Sequence, residues 1–118
     1  MTRFTESEVA NYMARFKGDR TGGTVVCIGE KPFMAQVVKL ARLRAWRVYH
    51  THDSRRSAAG FPDLVLCRPP RLIFAELKSE KAKPTIEQVA WLDALSGTGA
   101  EVFVWRPSDL DRIAWILR

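Results

Sequence analysis

The sequence predicts a mixed α/β fold in which three antiparallel strands are followed by a helix and a fourth, parallel strand. Residues 61–78 contain two apolar runs that meet at Pro69-Pro70, which is typical of two strands folded back on each other. Segments with the apolar spacing of helices lie before and after this pair. A last apolar run, 101–105, follows the second helical segment. A crossover through a helix joins parallel strands, so this run completes a mixed sheet.

Chain length and composition predict one domain over residues 1–118. A hydrophobic content of 47% and four Trp favour a packed core, and the net charge of +6 favours a polyanionic partner such as nucleic acid. Cys27 and Cys67 are isolated, which argues against a structural zinc site or a disulfide framework. The sequence shows neither a signal peptide nor a long apolar run. We therefore expect a cytoplasmic protein with no membrane partner.

Two helices are predicted before the first strand. Thr5 and Glu8 form a capping box that starts an additional N-terminal helix, and this helix and its turn occupy residues 1–25. A second helix is predicted from about Glu30 to Ala45, with an apolar stripe of Met34, Val37, Val38, Ala41 and Ala45. Glu30 heads that stripe. An acid at this position is either a solvated residue that the positive end of the helix dipole favours, or a residue that binds a cation.

The remaining elements follow in order. Residues 46–51 are predicted to form the first strand, and the polar loop 52–60 leads to the paired strands of 61–78. After the basic loop 79–84, Thr85 starts a third helix that ends near Gly97 and Gly99. The residues predicted to face inward on this helix are Ile86, Val89, Leu92 and Leu95. A final helix is predicted to begin at Ser108 and to bury Leu110, Ile113, Ala114 and Leu117.

A turn centred on Pro69-Pro70 would set the register of the paired strands. Asp63 would then face Glu76, and Lys78 would share the face of Glu76 because side chains alternate along a strand. Proline cannot adopt the positive φ of common two-residue turns, so we expect a longer loop, and the register holds only if that loop widens symmetrically. Opposed carboxylates repel each other, and a hard divalent cation with oxygen ligands would make the arrangement tolerable.

The same residues carry a recognisable motif. Phosphodiester hydrolysis needs a metal to neutralise phosphate charge and activate water, and a desolvated lysine can help to take the proton of that water. Pro62-Asp63, twelve residues, then Glu76-Leu77-Lys78 resembles the PD-(D/E)xK nuclease motif. The surrounding segments 60–63, 76–79 and 88–91 are similar to those of the VRR-Nuc family of that superfamily. The similarity runs from about residue 30 to the C-terminus.

The resemblance implies a restriction-endonuclease-like fold with the core order αβββαβ and a set of site residues. By analogy, Asp63 and Glu76 would bind Mg²⁺ or Mn²⁺ together with the backbone carbonyl of Leu77, and Lys78 would orient the attacking water. Glu30 would match an acidic residue on the first core helix and could join the ligands. Met34 departs from the family pattern, which has a glutamine there.

Further candidates have two interpretations each. Gln88 either bonds back to the helix N-cap or supports the site, and both can hold. The four basic residues of the adjoining loops either contact DNA phosphates or form a solvated surface; these are Arg55, Arg56, Lys81 and Lys83. His52 is either a nucleic-acid contact that protonates the leaving group or an incidental loop residue. Trp91 and Trp105 are interpreted as core residues.

The leading functional hypothesis is a Mg²⁺- or Mn²⁺-dependent DNA endonuclease. The resemblance implies the small stand-alone type found in phage and bacterial genomes, acting as a homodimer on duplex or branched DNA such as Holliday junctions, in a bacterial or phage-infected cell. One alternative is a catalytically inactive nucleic-acid-binding module with the same fold. Another is a hydrolase or transferase acting on a different phosphate-bearing substrate. The sequence contains no Gly-rich nucleotide-binding loop that would support this alternative.

Overall fold

The structure, a computed structural model, describes residues 30–51 and 58–118. Its elements are α1 (Glu30–Leu43), β1 (Arg47–His50), β2 (Leu64–Arg68), β3 (Arg71–Leu77), α2 (Ile86–Ser96), β4 (Glu101–Trp105), a 3₁₀ turn (Pro107–Asp109) and α3 (Leu110–Ile116). The predicted N-terminal helix lies outside the described residues, as do residues 52–57 of the predicted loop 52–60. Every predicted helix and strand within the described ranges is present.

The four strands form one sheet in the order β1-β2-β3-β4. The first two pairings are antiparallel, and β3 and β4 are parallel and connected through α2. This arrangement confirms the predicted antiparallel meander with a parallel last strand. None of the helices in the described ranges has the length and apolarity needed to span a membrane.

The β2–β3 hairpin has the predicted register but a shorter turn than expected. Arg68 lies opposite Arg71 and Val65 lies opposite Phe74. The expectation of a longer loop was wrong, because pairing continues up to the residues that flank the two prolines. The peptide bond between these prolines is cis, the conformation found in type VI turns.

The two faces of the sheet pack against different helices. On the face towards α1 and α3, buried side chains form one core cluster that includes Leu64, Leu66, Ile73, Ala75, Leu77 and Trp105 from the sheet, Phe33, Val37, Leu40 and Ala41 from α1, and Ile113 and Leu117 from α3. On the other face, Phe61 packs edge-on against Phe74, with ring centroids 6.1 Å apart, and against Trp91 of α2, at 5.1 Å. The sheet is therefore the middle of three layers.

Helix α1 ends earlier and buries a different stripe than predicted. It stops at Leu43 because Ala45 has φ 65, a left-handed conformation that ends helices, and the Trp46 amide donates to the Ala41 carbonyl. The predicted Met34 and Val38 lie only at the edge of the core. The buried face consists of Phe33, Gln36, Val37, Leu40 and Ala41. This set has the i, i+3, i+4, i+7 spacing of one helical face.

Helix α2 has the predicted ends but a different inner face. Thr85 is its N-cap and Gly97 its C-cap. The prediction that Ile86 and Val89 face inward was wrong, since 86% and 44% of their surfaces are exposed. Trp91 packs on Phe61 instead, and this contact turns the helix so that its first apolar residues point away from the sheet.

The start of the last helix also differs from the prediction. Ser108 lies inside the 3₁₀ turn and does not cap α3, which begins at Leu110. Asp109 instead accepts a hydrogen bond from the Arg106 amide, at 2.9 Å. Leu110, Ile113 and Leu117 are buried as predicted.

Two arginines occupy the turn end of the hairpin and bind helix C-termini. Arg68 donates to the carbonyl oxygens of Arg44 and Arg118, at 2.9 and 2.7 Å. Arg71 donates to the Ile116 carbonyl, at 2.8 Å. Both guanidinium groups lie over the ring of Trp46, 4.5 and 5.0 Å from its centroid. Cations are favoured at helix C-termini by the helix dipole, so these contacts stabilise the like-charged pair.

Arg71 also forms a two-point ion pair with Glu101 of β4. Its Nε and Nη2 atoms donate to the two carboxylate oxygens at 2.8 and 2.7 Å. These hydrogen bonds, helped by the charge of the guanidinium and opposed by burial, hold the pKa of Glu101 below its usual value. The same bonds raise the pKa of Arg71. The turn end of the hairpin is thus a closed set of charge-assisted contacts.

Candidate active site

Asp63 and Glu76 lie next to each other at the open end of the hairpin. Strand pairing extends to Leu64 opposite Ala75, so Asp63 and Glu76 are the next positions on the two segments and share one face of the sheet. The Asp63 carboxylate accepts a hydrogen bond from the Leu77 amide, at 2.9 Å. This bond holds the aspartate against β3 beside the glutamate, as the predicted register requires.

Glu76 is a buried carboxylate, with 2% of its surface exposed. The Lys78 Nζ lies 3.9 Å from Glu76 Oε1, and 11% of the Lys78 side chain is exposed. The Lys78 amide donates to the Trp105 carbonyl, at 2.9 Å, which continues the β3–β4 pairing beyond Leu77. Burying a carboxylate is costly unless a cation or hydrogen bonds compensate. Lys78 supplies part of that compensation at long range.

Gln88 makes the helix-cap bonds that its sequence context predicts, and it also contacts Glu76. Its side-chain Oε1 accepts a hydrogen bond from the Thr85 backbone amide at 2.8 Å, and its backbone amide donates to Thr85 Oγ1 at 3.2 Å, which completes a capping box. Its Nε2 donates to Glu76 Oε1 at 3.3 Å. The first turn of α2 is therefore joined directly to the buried glutamate.

Gly60 explains why the loop before β2 can approach α2 so closely. It has φ +89, and a Cβ at this position would lie 2.5 Å from the Glu87 carbonyl carbon and 2.8 Å from the Gln88 nitrogen. Only glycine fits such a close backbone approach with a positive φ. The family resemblance includes Gly60 but gives it no physical role. Its role is to seat the Asp63 loop against the helix that carries Gln88.

The loop after Lys78 is held in place by contacts that sequence reasoning did not identify. The Arg106 guanidinium donates to the carbonyl oxygens of Ser79 and Ala82, at 2.5 and 2.6 Å. The Glu80 carboxylate accepts from the amide and the hydroxyl of Ser108, at 2.6 and 3.0 Å. Only the position of Arg106 directly after a strand could have indicated this role, and that signal is weak.

Lys81 and Lys83 lie exposed on this fixed loop. Their positions agree with the predicted basic surface beside the acidic pair. His52, Arg55 and Arg56, which were assigned to the same surface, fall outside the described residues.

The remaining candidates lie on α1. Glu30 is the first described residue of α1, and the described part of the molecule does not include its side chain. Met34 lies partly buried at the core edge, whereas Gln36 is buried with 8% exposed. A polar residue on the buried helical face is the signal that would have selected Gln36 from the sequence.

The donors in the described part of the site suit a hard cation. Asp63 and Glu76 offer carboxylate oxygens, which are the ligands preferred by Mg²⁺ and Mn²⁺. Within residues 30–51 and 58–118, no group of three or more His, Cys, Asp or Glu side chains is placed to share an ion. The carboxylate pair and nearby backbone oxygens are therefore the donors to consider.

Comparisons with known proteins identify the family. The sequence profile of the VRR-NUC domain matches residues 11–109, which is most of the chain. A solved structure described as a VRR-NUC domain protein superposes with a TM-score of 0.61 and 18% sequence identity, and the match covers 77% of this chain and 87% of that one. A search of curated proteins gave no significant match. The shared fold and the profile agree with the resemblance carried by Asp63, Glu76 and Lys78, and the chain belongs to the VRR-NUC family of nuclease-type domains.

Proposed function

We propose that this protein is a Mg²⁺- or Mn²⁺-dependent DNA endonuclease whose active site is the open end of the β2–β3 hairpin. One observation carries the proposal: the buried Glu76 carboxylate lies beside Asp63 on one face of the sheet, and the Lys78 Nζ lies 3.9 Å from Glu76 Oε1. Two carboxylates that can hold a divalent metal, with a lysine beside them to position water, suit metal-assisted phosphodiester hydrolysis.

Asp63 and Glu76 would hold the metal, with the Leu77 carbonyl and Glu30 as further oxygen ligands. When bound, the metal neutralises charge on the phosphate and lowers the pKa of a water molecule. The hydrogen bond from the Leu77 amide fixes Asp63 in place before any ion arrives. Gln88 in turn orients Glu76 through a hydrogen bond to Oε1.

Lys78 would position the attacking water and help to accept its proton. Its amine is close to Glu76, and most of its side chain is removed from solvent, so it reaches the site with little freedom to move elsewhere. A lysine can act as a base once the metal and the surrounding protein disfavour its proton.

The exposed Lys81 and Lys83 support the DNA assignment. They lie on a loop that Arg106 and Glu80 hold beside Lys78, so their ammonium groups are available to phosphates flanking the cut. Phosphate contacts of this kind position the nucleic acid without reading its sequence. A homodimer acting on branched DNA such as Holliday junctions is the finer form of the proposal, and it rests on family analogy.

The test is a cleavage assay on linear duplex, flap and four-way-junction DNA with Mg²⁺, Mn²⁺ or EDTA. We expect metal-dependent cleavage of at least one substrate by the wild type and none by Asp63→Asn. Asp93→Asn is the matched control, since Asp93 is exposed on α2. Absence of metal-dependent cleavage of every substrate by the wild type would contradict the proposal. DNA binding without cleavage would favour the inactive binding module.

A further inference from the structure

Part of the face of the sheet that carries the acidic pair is open to solvent. Strand pairing places Arg47 beside Cys67 and Leu72, in one row across the sheet, and Tyr49 beside Val65, in the next row. Because paired residues share a face, these rows lie on the same side as Asp63 and Glu76. Rows on one face repeat about every 6.6 Å along the strands. We call the exposed Arg47, Tyr49 and Leu72, together with the partly exposed Cys67, the open platform.

The open platform is exposed while the neighbouring part of the face is covered. Tyr49 is 63% exposed and Leu72 is 40% exposed. Arg47 is also exposed. In contrast, Phe74, in the same row as Tyr49, is covered by Phe61 and thereby by α2. Within this row, Phe74 on β3 is covered, whereas the ring of Tyr49 on the edge strand β1 is exposed.

The pairing also relates Tyr49 to the acidic pair. The Thr51 amide donates to the Asp63 carbonyl, at 2.9 Å, so Thr51 stands opposite Asp63. Tyr49 lies two residues before Thr51 on the same strand and face, one row from the carboxylates. Diagonal neighbours of this kind have Cβ atoms about 7–8 Å apart. A DNA strand with a phosphate at the acidic pair would pass over Tyr49 within one nucleotide.

We propose that the open platform binds an unpaired segment of the DNA strand next to the scissile phosphate, with a base stacked on Tyr49 and a phosphate at Arg47. The inference rests on the proposed nuclease function and specifies its substrate class as DNA with single-stranded character beside the cut. A base inside a continuous duplex is already stacked on its neighbours, whereas an unpaired base has a free face for an aromatic side chain. Arg47 complements the phosphate charge.

The test compares binding of matched DNA by fluorescence anisotropy, with Ca²⁺ or EDTA in place of the metals that support cleavage. The two probes are a flap with an unpaired arm and a fully paired duplex of equal length. We expect Tyr49→Ala to weaken flap binding by about 5- to 100-fold and to change duplex binding by less than about 2-fold. Tyr49→Phe should bind as the wild type does, because stacking needs the ring.

Arg47→Ala should weaken binding of both probes and lower the slope of log affinity against log salt by about one unit. The matched controls lie on α3, which packs on the opposite face of the sheet: Trp115, 65% exposed, and the exposed Arg112. Trp115→Ala and Arg112→Ala should bind both probes within about 2-fold of the wild type, as expected for residues away from the DNA. Thermal unfolding of every variant checks that the fold is retained.

Cys67 provides a second readout because it is a partly exposed free thiol in the row of Arg47. In a Cys27→Ser background, flap DNA should slow alkylation of Cys67 several-fold. An unchanged alkylation rate at saturating DNA would overturn the inference.

The outcomes separate the inference from the proposed function. Wild type that cuts DNA while Tyr49→Ala binds the flap equally well would overturn the platform and leave the nuclease intact. Equal weakening of flap and duplex would also overturn it, since the contact would then not need an unpaired base. Wild type that neither binds nor cuts any DNA would refute both.

Discussion

At the turn end of the β2–β3 hairpin two arginines face each other, whereas at the open end two carboxylates do. Arg68 and Arg71 reach carbonyl oxygens at the ends of α1 and α3, and Arg71 is further neutralised by Glu101. The like charges are therefore compensated within the protein. Asp63 accepts a hydrogen bond from a backbone amide, and Glu76 accepts one from the side-chain amide of Gln88. The Lys78 Nζ lies 3.9 Å from Glu76 Oε1. The arginine pair at the turn end is compensated by protein groups and contributes to stability. The adjacent carboxylates at the open end are suited to binding an external cation.

The largest expected effect comes from a substitution at the open end of the hairpin that leaves the turn end unchanged. Replacing Lys78 by alanine removes the side-chain amine that we propose positions the water and helps to accept its proton. We expect Lys78→Ala to lower the cleavage rate on the order of 10²- to 10⁴-fold, the range of general acid–base catalysis, while DNA binding survives. Single-turnover cleavage and anisotropy on the same substrate measure the two effects. Arg112→Ala, at an exposed position of α3, is the control. Normal cleavage by Lys78→Ala would show that its assigned role is wrong.

The next effect concerns the seating of the open end. Gly60→Ala places a Cβ 2.5 Å from the Glu87 backbone at a positive φ. We expect a loss of about 2–4 kcal/mol in the free energy of unfolding, together with slower cleavage because Gln88 is displaced. Gly99 has φ +87, and a Cβ there would meet no atom within 4 Å, so Gly99→Ala isolates the cost of the conformation. Equal losses for both variants in urea unfolding would mean that the close approach is unimportant.

At the turn end, removal of one arginine should reduce stability and not chemistry. Arg68→Ala leaves carbonyl oxygens at the ends of α1 and α3 without their cationic donor. We expect a loss of about 1–3 kcal/mol in the free energy of unfolding and an unchanged cleavage rate at a temperature where the variant is folded. Arg42→Ala, exposed in the last turn of α1, should lose less than about 0.5 kcal/mol. A large loss of activity in the folded Arg68→Ala variant would contradict the division of roles.

The smallest effect is the pH dependence of the Arg71–Glu101 pair. Because the folded-state pKa of Glu101 is lowered, its contribution is present above the unfolded glutamate value of about 4.3 and is lost as pH falls through the folded pKa. The side chains are 32% and 36% exposed, so solvent screening limits the effect to below about 1 kcal/mol. Glu101→Gln should therefore be less stable than the wild type at pH 7, and the difference should shrink as the pH falls below the unfolded glutamate value and through the lowered folded pKa. A constant difference in unfolding free energy across this range would contradict the assignment.

Much of the sheet follows from the sequence, since its features depend on local chemistry. Alternation of apolar residues and the two prolines gave the register that opposes Asp63 and Glu76. The inner face of α2 could not be predicted in this way. Ile86 and Val89 satisfy the helical spacing, but a tertiary contact between Trp91 and Phe61 decides which side turns inward.

The site shows the same division. Its motif residues are adjacent on paired strands, so their proximity could be read from the sequence. Arg106, Glu80 and the close approach at Gly60 act between segments distant along the chain, and nothing local marks them. Gln88 was found because its helix cap is a local pattern and because residues 88–91 resemble the family, while its bond to Glu76 depends on the fold.

The most direct test of the comparison is metal-linked stability. Urea unfolding of the wild type, Asp63→Asn, Glu76→Gln and Asp93→Asn would be measured in EDTA and with Mg²⁺ or Mn²⁺. A metal at 100 times its dissociation constant stabilises a folded protein by about 2.7 kcal/mol, so the wild type and Asp93→Asn should gain stability on this scale and the two site variants should not. In EDTA, Asp63→Asn should be at least as stable as the wild type, because one repelling charge is gone. Equal responses of all four proteins to the metal would contradict a cation site at the open end of the hairpin.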